Sequence, residues 1–412
     1  MLIRLIYCGI FIFTFFDIFY IIAAEVQNVN TALTQNNTEK IQFEQLEQLF
    51  NNFYPWLAGL YDPEEGGFYF SLKHKNDKQL QPDIESTAQA ISILYRSGLL
   101  PEMPATFRQK LINFFQKRQD PNTGFFIDQN IERHNNERWR GRALSYSISS
   151  LSKLKAKPLY PLPGEKNTGA NPNPYLSHFE SPEIFQNWLN NRPWNNAWGA
   201  LDQVSSQIPN LKLFPKAKRD QLLTILFKDL AKRQDSNSGL WGGGSPYRKI
   251  SGAFKIAMVY KSFKKPIPRA NKIYKSTLEC LRNNKAEDIC FVRNPLNLIT
   301  MLRNDLGRPI SNADKTQISN ITIKNLAMFA TDQGGFRGKL SAPLASAPAI
   351  YRNYHEANLN ACSSAFTVRQ LLYALSGMKV PLVSNTDVFL IIKKYGNSRY
   401  ESYRTDYRSR IY

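Results

Sequence analysis

The side chains able to do acid–base chemistry are few and fall in a handful of polar loops. Four histidines occur in the chain, and two of them, His134 and His355, precede apolar segments. Tyr354-His355-Glu356 is the densest acid/base combination, with Arg352 just before it and Asn358 and Asn360 just after. Histidine is the side chain most easily tuned near neutrality. A second loop runs from His134 to Arg142 and carries Arg138 and Trp139, with Tyr146 one helical turn beyond Arg142 on the same face. An arginine or asparagine neutralising an acidic group beside a tyrosine or histidine that moves a proton is the arrangement needed for general acid–base work next to a stabilised anion. A third loop brings Trp188, Trp194 and Trp198, three of the six tryptophans within eleven residues, and Asp202 lies four residues past Trp198. Flat indole faces suit sugar rings, and two carboxylates across such a cleft suit glycoside hydrolysis. A fourth loop brings Asp83 and Glu85 to the start of an apolar run, where acidic residues equally serve as helix caps.

The catalytic candidates are therefore His355, Tyr354, Glu356, His134, Tyr146 and Asp202. The substrate-binding candidates are Asp83, Glu85, Arg138, Trp139, Arg142, Trp194, Trp198 and Arg352. Each loop has a plainer reading beside this one: a solvated stretch ahead of a capped helix, or tryptophans packed between helices. No cofactor or metal is expected. The four cysteines form no CxxC or Cys/His zinc spacing, although Cys280 and Cys290 flank a short polar loop and could pair in an oxidising compartment. Gly242-Gly243-Gly244 lacks the strand and the GKS ending of a phosphate loop and reads as a turn.

The elements that must position these residues come from a repeated phrase. Lys117-Arg118-Gln119-Asp120-Pro121-Asn122-Thr123-Gly124-Phe125 is echoed by Lys232-Arg233-Gln234-Asp235-Ser236-Asn237-Ser238-Gly239-Leu240. Weaker copies begin at Tyr61 and Thr331. The four aspartates stand at 62, 120, 235 and 332, so the period is about fifty to sixty residues with two degenerate copies in the gaps. Each copy ends an amphipathic helix in a turn, the glycine supplying positive φ, and a more apolar helix follows. First helices are expected over 41–60, 105–117, 181–190, 216–232, 268–283 and 314–329. Their partners are expected over 84–96, 139–154, 196–208, 248–262, 293–305 and 358–376. Nothing reads as a sheet. Six pairs with an apolar second helix predict an all-α fold, a closed double ring with the second helices inside; the alternative is an open solenoid.

At this level of architecture and turn, residues 41 to 376 resemble the (α/α)6 toroids. The Gln-Asp-x-x-x-Gly turns at 119–124 and 234–239 resemble those of the terpenoid cyclase and protein prenyltransferase toroids. The exported, basic context is more similar to toroidal polysaccharide lyases and six-hairpin glycosidases. The chain departs from the cyclases in having no DxDD or DDxxD run and no recognisable prenyltransferase zinc set.

Charge and the N-terminus set the context. Arg4 and the apolar run from Leu5 to Phe16, broken by Asp17 and closing on Ala23-Ala24, read as a signal peptide over 1–24; an uncleaved anchor is the alternative. A flexible leader over 25–40, a toroid domain over 41–395 and a basic Tyr/Arg-rich tail over 396–412 are expected. No later stretch is long enough to span a bilayer. Lys and Arg exceed Asp and Glu by 53 to 33, a net charge of +20. A secreted or periplasmic protein this basic is drawn to polyanions. The expected function is an enzyme acting on an anionic polysaccharide, as lyase or hydrolase. The expected protein is a monomer with no specific nucleic-acid partner. A non-catalytic toroid binding polysaccharide, envelope or protein is the second expectation, and a terpenoid or prenyl enzyme lacking the usual acids the third.

Overall fold

A computed structural model of the chain describes residues 40–128, 135–163, 165, 174–341 and 356–381. The expected signal, the leader up to residue 39 and the basic tail lie outside the described residues. The chain divides into two compact units, residues 1–48 and 49–412. In the first, residues 40–48 are helical. The second is mostly helical and holds α1 Phe53–Gly59, α2 Leu72–Asn76, α3 Ile84–Arg96, α4 Ala105–Gln116, α5 Glu137–Lys153, α6 Pro182–Asn190, α7 Ala197–Ser206, α8 Ile208–Leu213, α9 Lys216–Arg233, α10 Pro246–Ser262, α11 Ala270–Asn283, α12 Ile289–Leu302, α13 Asn312–Ala327 and α14 Leu359–Ser376. Among the described residues no helix is long and apolar enough to cross a membrane.

The expected helix over 41–60 is two, parted by a turn at 49–52 around Asn51-Asn52. The expected helix from 293 starts four residues earlier, because Asp288 accepts from the Cys290 amide at 2.8 Å and caps it; Pro295 sits inside the helix. The short helices α2 and α8 were not expected. The one sheet among the described residues is a two-residue antiparallel pair, Tyr61–Asp62 with Gly67–Phe68, which flanks a copy of the repeated turn.

Side-chain caps start the apolar helices. Asp83 accepts from Ser86, Asn136 from Arg138 and Trp139, Asn196 from Gly199, and Asn358 from Ala361. Each removes an orphan amide at a helix start. Six helices then pack side by side: α3 on α5, α5 on α7, α7 on α10, α10 on α12, α12 on α14, and α14 on α3. Gln89 donates to Asn360 at 3.0 Å and Arg96 to Thr367 at 3.0 Å, so α3 and α14 run parallel. Close approach comes from small residues: a Cβ at Gly252 would lie 2.9 Å from the Ala197 carbonyl, and one at Gly141 2.3 Å from the Ser206 carbonyl.

The repeated turn ties successive pairs together. The Asp120 and Asp235 carboxylates accept from amides two residues on, at 3.0 and 3.1 Å, and their own amides donate to Phe125 and Leu240 carbonyls. The glutamine before each reaches forward to the next connection. Gln119 Nε2 donates to the Tyr160 carbonyl and Gln234 Nε2 to the Pro268 carbonyl, both at 2.9 Å. The turn glycines have φ of +71, +75, +74 and +92° at 66, 124, 239 and 334. Gly66 lies against Lys110 in α4 and Gly239 against Ile273 in α11. Gly334, in the last copy, lies against Asn52 at the start of α1, where a Cβ would stand 2.5 Å from the Asn52 carbonyl.

Candidate functional site

The polar side chains that follow the caps meet between α3, α5, α7 and α10. Glu85 follows the Asp83 cap by two residues and forms an ion pair with Arg142 on α5. Arg142 reaches on to Asp202 of α7 at 3.6 Å. Asp202 also pairs with Arg138, and at 2.6 Å with Lys255 of α10. One carboxylate with 3% of its side chain exposed is thus faced by three cations from two other helices. Tyr146 completes the group: its hydroxyl donates to Glu85 Oε1 at 3.3 Å and accepts from Arg142 at 3.4 Å. Gln89 links Glu85, at 3.3 Å, to Asn360.

The charges set one another. Burial opposes ionisation of Asp202, yet Lys255, Arg142 and Arg138 hold its carboxyl well below the ordinary 3.8. Burial would lower Arg142, but Glu85, Tyr146 and Asp202 hold it well above its ordinary value. Burial lowers the Lys255 ammonium, with Arg142 and Arg293 adding to the shift against Asp202. Burial, with the Glu85 charge, pushes the Tyr146 phenol up to about 12. Tyr146 therefore keeps its proton at neutrality and acts here as a donor. Asp202 stays ionised and acts as an anchor for the cations around it.

A small cleft of about 20 Å³ opens beside this group, lined by Ile84, Glu85, Phe126, Asp128, Trp139, Arg142 and Tyr146 among others. Trp139 is half-buried, with the Arg138 and Arg142 guanidiniums 4.9 and 5.1 Å from its ring. Cation–π contact of this kind orients both partners. The arrangement offers a flat aromatic wall, fixed positive charge and one neutral hydroxyl, which suits a ligand that is both planar-faced and anionic.

Glu85, Arg138, Trp139, Arg142, Tyr146 and Asp202 are thus brought together. Asp83 stands at the edge as the α3 cap. Trp194 stands elsewhere: its indole donates to the Leu189 carbonyl at 2.9 Å and Arg233 of α9 lies 4.3 Å over its ring. Trp198 packs on Phe291 of α12, and Glu356 accepts from the Lys73 amide at 2.7 Å at the start of α2. His134, Arg352, Tyr354 and His355 lie outside the described residues. Trp188 donates to Glu137, which also pairs with Arg192 at 2.8 Å, next to buried His178.

No family model matches the sequence, and no curated protein does either. Lys255 and Arg293 were not anticipated from the sequence. Each is the lone charge in an apolar stretch, Ala253-Phe254-Lys255-Ile256-Ala257 and Phe291-Val292-Arg293, and that isolation was the available signal. Cys280 and Cys290, the candidate pair, are free thiols. Among the described residues no cluster of three His, Cys, Asp or Glu could hold a metal ion.

Proposed function

We propose that the protein is an exported (α/α)6 toroid that acts on an anionic polysaccharide at the cleft beside Glu85, Arg142 and Tyr146. The toroid reading is supported by the cycle of six helix contacts and by the last turn, Gly334, lying against Asn52 at the start of the first pair. The observation that carries the functional reading is the charge of the buried group beside the cleft. Three cations, Arg138, Arg142 and Lys255, face two carboxylates, Glu85 and Asp202, and of these Arg142 and Glu85 reach the cleft lining beside half-buried Trp139. Surplus fixed positive charge beside a partly desolvated cleft favours an anion, and the aromatic wall favours a sugar ring. In this reading Arg138 and Arg142 neutralise acidic groups of the polymer and Tyr146 delivers a proton to the leaving oxygen. The base is assigned from the sequence alone to His134 or His355, which lie outside the described residues.

The deciding experiment is incubation with a panel of uronic-acid polymers. Unsaturated, ultraviolet-absorbing ends identify β-elimination, and new reducing ends without unsaturation identify hydrolysis. Neither product and no polymer binding overturns the proposal. A second reading, binding without cleavage, is favoured by two particulars: Tyr146 holds its proton to about pH 12, and Asp202 is committed to its cations. Binding with no product on the whole panel selects it.

A further inference from the structure

Four of the six packed helices end in the same way. The Leu99, Ala156, Lys265 and Met378 amides donate to the carbonyls of Leu94, Leu151, Tyr260 and Tyr373, which closes α3, α5, α10 and α14 around a left-handed residue. At α3 and α14 that residue is Gly98, φ +75°, and Gly377, φ +80°. At α5 and α10 it is Lys155, φ +58°, and Lys264, φ +55°. Glycine is what this backbone favours, and any side chain there is strained. Both lysines are exposed, so packing does not hold them in place.

The ends of parallel helices share a side. Besides α3 and α14, α10 and α12 run parallel: Tyr247 stacks on Phe291 at 4.9 Å near their starts, and Lys261 pairs with Asp305 at 2.7 Å near their ends. The Ala197 amide donates to the Gly243 carbonyl at 2.8 Å and Asp202 pairs with Lys255 at 2.6 Å, so α7 runs with α10. The cleft, lined by Ile84 of α3 and Trp139 of α5, lies at the helix starts. The helix ends carry exposed cations: Lys155 and Lys157 after α5, Lys264 and Lys265 after α10, Arg303 and Arg308 after α12. Among the described residues none of the six has a carboxylate in ion-pair reach. Asp305 is the one acid in residues 154–160, 263–269 and 303–308, and Lys261 already holds it. Apolar side chains stand beside these cations. Among the described residues of the second unit five large hydrophobic side chains are exposed, and all but Ile184 stand at the helix ends: Tyr95 at 50%, Leu159 at 56%, Tyr160 at 39% and Met378 at 38%.

We infer that the ends of the inner helices, on the side away from the cleft, form a face that docks on an anionic lipid bilayer. The inference rests on the proposed ring of six helices and goes beyond the glycan reading. Cations alone would fit any polyanion. Tyrosine, leucine and methionine among the lysines fit a bilayer surface, where rings and aliphatic stems settle at the headgroup level and ammonium groups meet lipid phosphates. Helix C-termini favour cations on their own account. That preference explains neither lysine at a left-handed position nor the exposed apolar side chains beside it.

The test uses the full chain in cosedimentation with phosphatidylcholine vesicles, with and without phosphatidylglycerol. The reading is the binding that the anionic lipid adds, which any general apolar attachment of the chain does not contribute. The expected result is a clear gain that falls as salt screens it. Lys155→Gly and Lys264→Gly should each weaken that gain about fivefold, the loss of one cation at the bilayer surface. Free of lipid, both variants should unfold no lower than the parent, because glycine accepts the left-handed backbone. Lysines kept for the fold give the opposite: lower Tm and unchanged binding. Leu159→Ser should weaken vesicle binding as well. The inference is overturned if phosphatidylglycerol adds no binding, or if both glycine variants bind as the parent does. It is also overturned if Leu159→Ser binds vesicles as the parent does while soluble polygalacturonate displaces them, since the face then takes a soluble polyanion. Cleavage of a polymer without vesicle binding would remove this inference and leave the cleft reading; vesicle binding without any polymer product or polymer binding would do the reverse.

Discussion

Replacing Asp202 with asparagine tests whether its carboxylate is the counter-charge of the cleft. The substitution keeps shape and leaves Arg138, Arg142 and Lys255 facing one another, with Arg293 behind them. Breaking a buried ion pair by removing one partner costs about 3–5 kcal/mol. For a unit spanning residues 49–412 this is a fall in Tm of roughly 4–7 °C, from the usual entropy of unfolding per residue. The pH dependence has a definite sign. In the parent, Asp202 is depressed below 3.8, so its contribution is present above that pH and is lost only in stronger acid. In Asp202→Asn the Lys255 ammonium loses the one partner that opposes its burial, Arg142 and Arg293. Its folded pKa falls further below the ordinary 10.5, so stability drops as pH falls through the folded value and recovers as pH rises toward 10.5. Denaturant unfolding at pH 7 and pH 9.5 reads this directly. The deficit should be smaller at pH 9.5, and Asp202→Asn/Lys255→Met should lie nearer the parent than the single variant. A loss under about 1 kcal/mol at pH 7, or a deficit that grows with pH, would refute the assignment of Asp202 as anchor.

Gly334→Ala should cost about 3 kcal/mol, since its Cβ meets the Asn52 backbone at 2.5 Å with φ at +92°, while Gly307→Ala, at φ +69° in open space, should cost about 1 kcal/mol; paired urea titrations compare them. Buried His74 and His178 are both lowered by burial from 6.5 to about 4, so each contributes stability that is present above 6.5 and lost as pH falls toward 4. Each is worth on the order of 3 kcal/mol, and His178→Gln should flatten the acid limb of stability against pH. Tyr146→Phe removes one donor to Glu85 and should weaken ligand binding by about 1 kcal/mol. Because the phenol titrates near 12, that variant should leave the shape of any pH profile below 9 unchanged, and a shifted basic limb would contradict the donor role.

Much of the helical plan was legible because local chemistry and repetition agree. The glutamine and aspartate of the turn each make backbone bonds that any copy can repeat, so the phrase survives at 119–124 and 234–239. The capping residues before α3, α5, α7 and α14 are visible as Asp or Asn ahead of an apolar run. Boundaries failed where two signals compete. Pro295 reads as a helix boundary, yet the Asp288 cap and the burial of Ile289 and Val292 extend the helix around it. In the site, residues of the α3 and α5 entrances were legible because their chemistry is dense. Lys255 and Arg293 were not, since a single charge in an apolar helix has no pattern of its own. Trp194 and Trp198 lie close to Asp202 in sequence but face α9 and α12, a distinction of side-chain direction that composition does not carry.

The distribution of stability through the second unit explains how such an interior can persist. Large aromatic side chains anchor the packing: Phe53, Phe68, Phe107, Phe114, Phe115 and Trp241 are fully buried on or beside α1, α4 and the turns. Trp241 donates to the Leu230 carbonyl, and Phe53 stacks on Phe366, so the aromatic layer holds helices of different pairs together. Each large apolar side chain contributes about 1.5–3 kcal/mol when buried. That layer can offset a cluster of cations costing several kcal/mol without the cluster contributing to folding at all. The cation of this interior that pairs with no carboxylate among the described residues, Arg293, should then tolerate neutralisation in the free protein far better than the aromatic layer tolerates truncation. Phe114→Ala, expected to cost about 3–5 kcal/mol, against Arg293→Gln, expected to cost nothing in the free protein, sets that contrast in a single unfolding experiment. Equal losses in the two variants would place the charges among the supports of the fold and remove the reason to read them as a binding site.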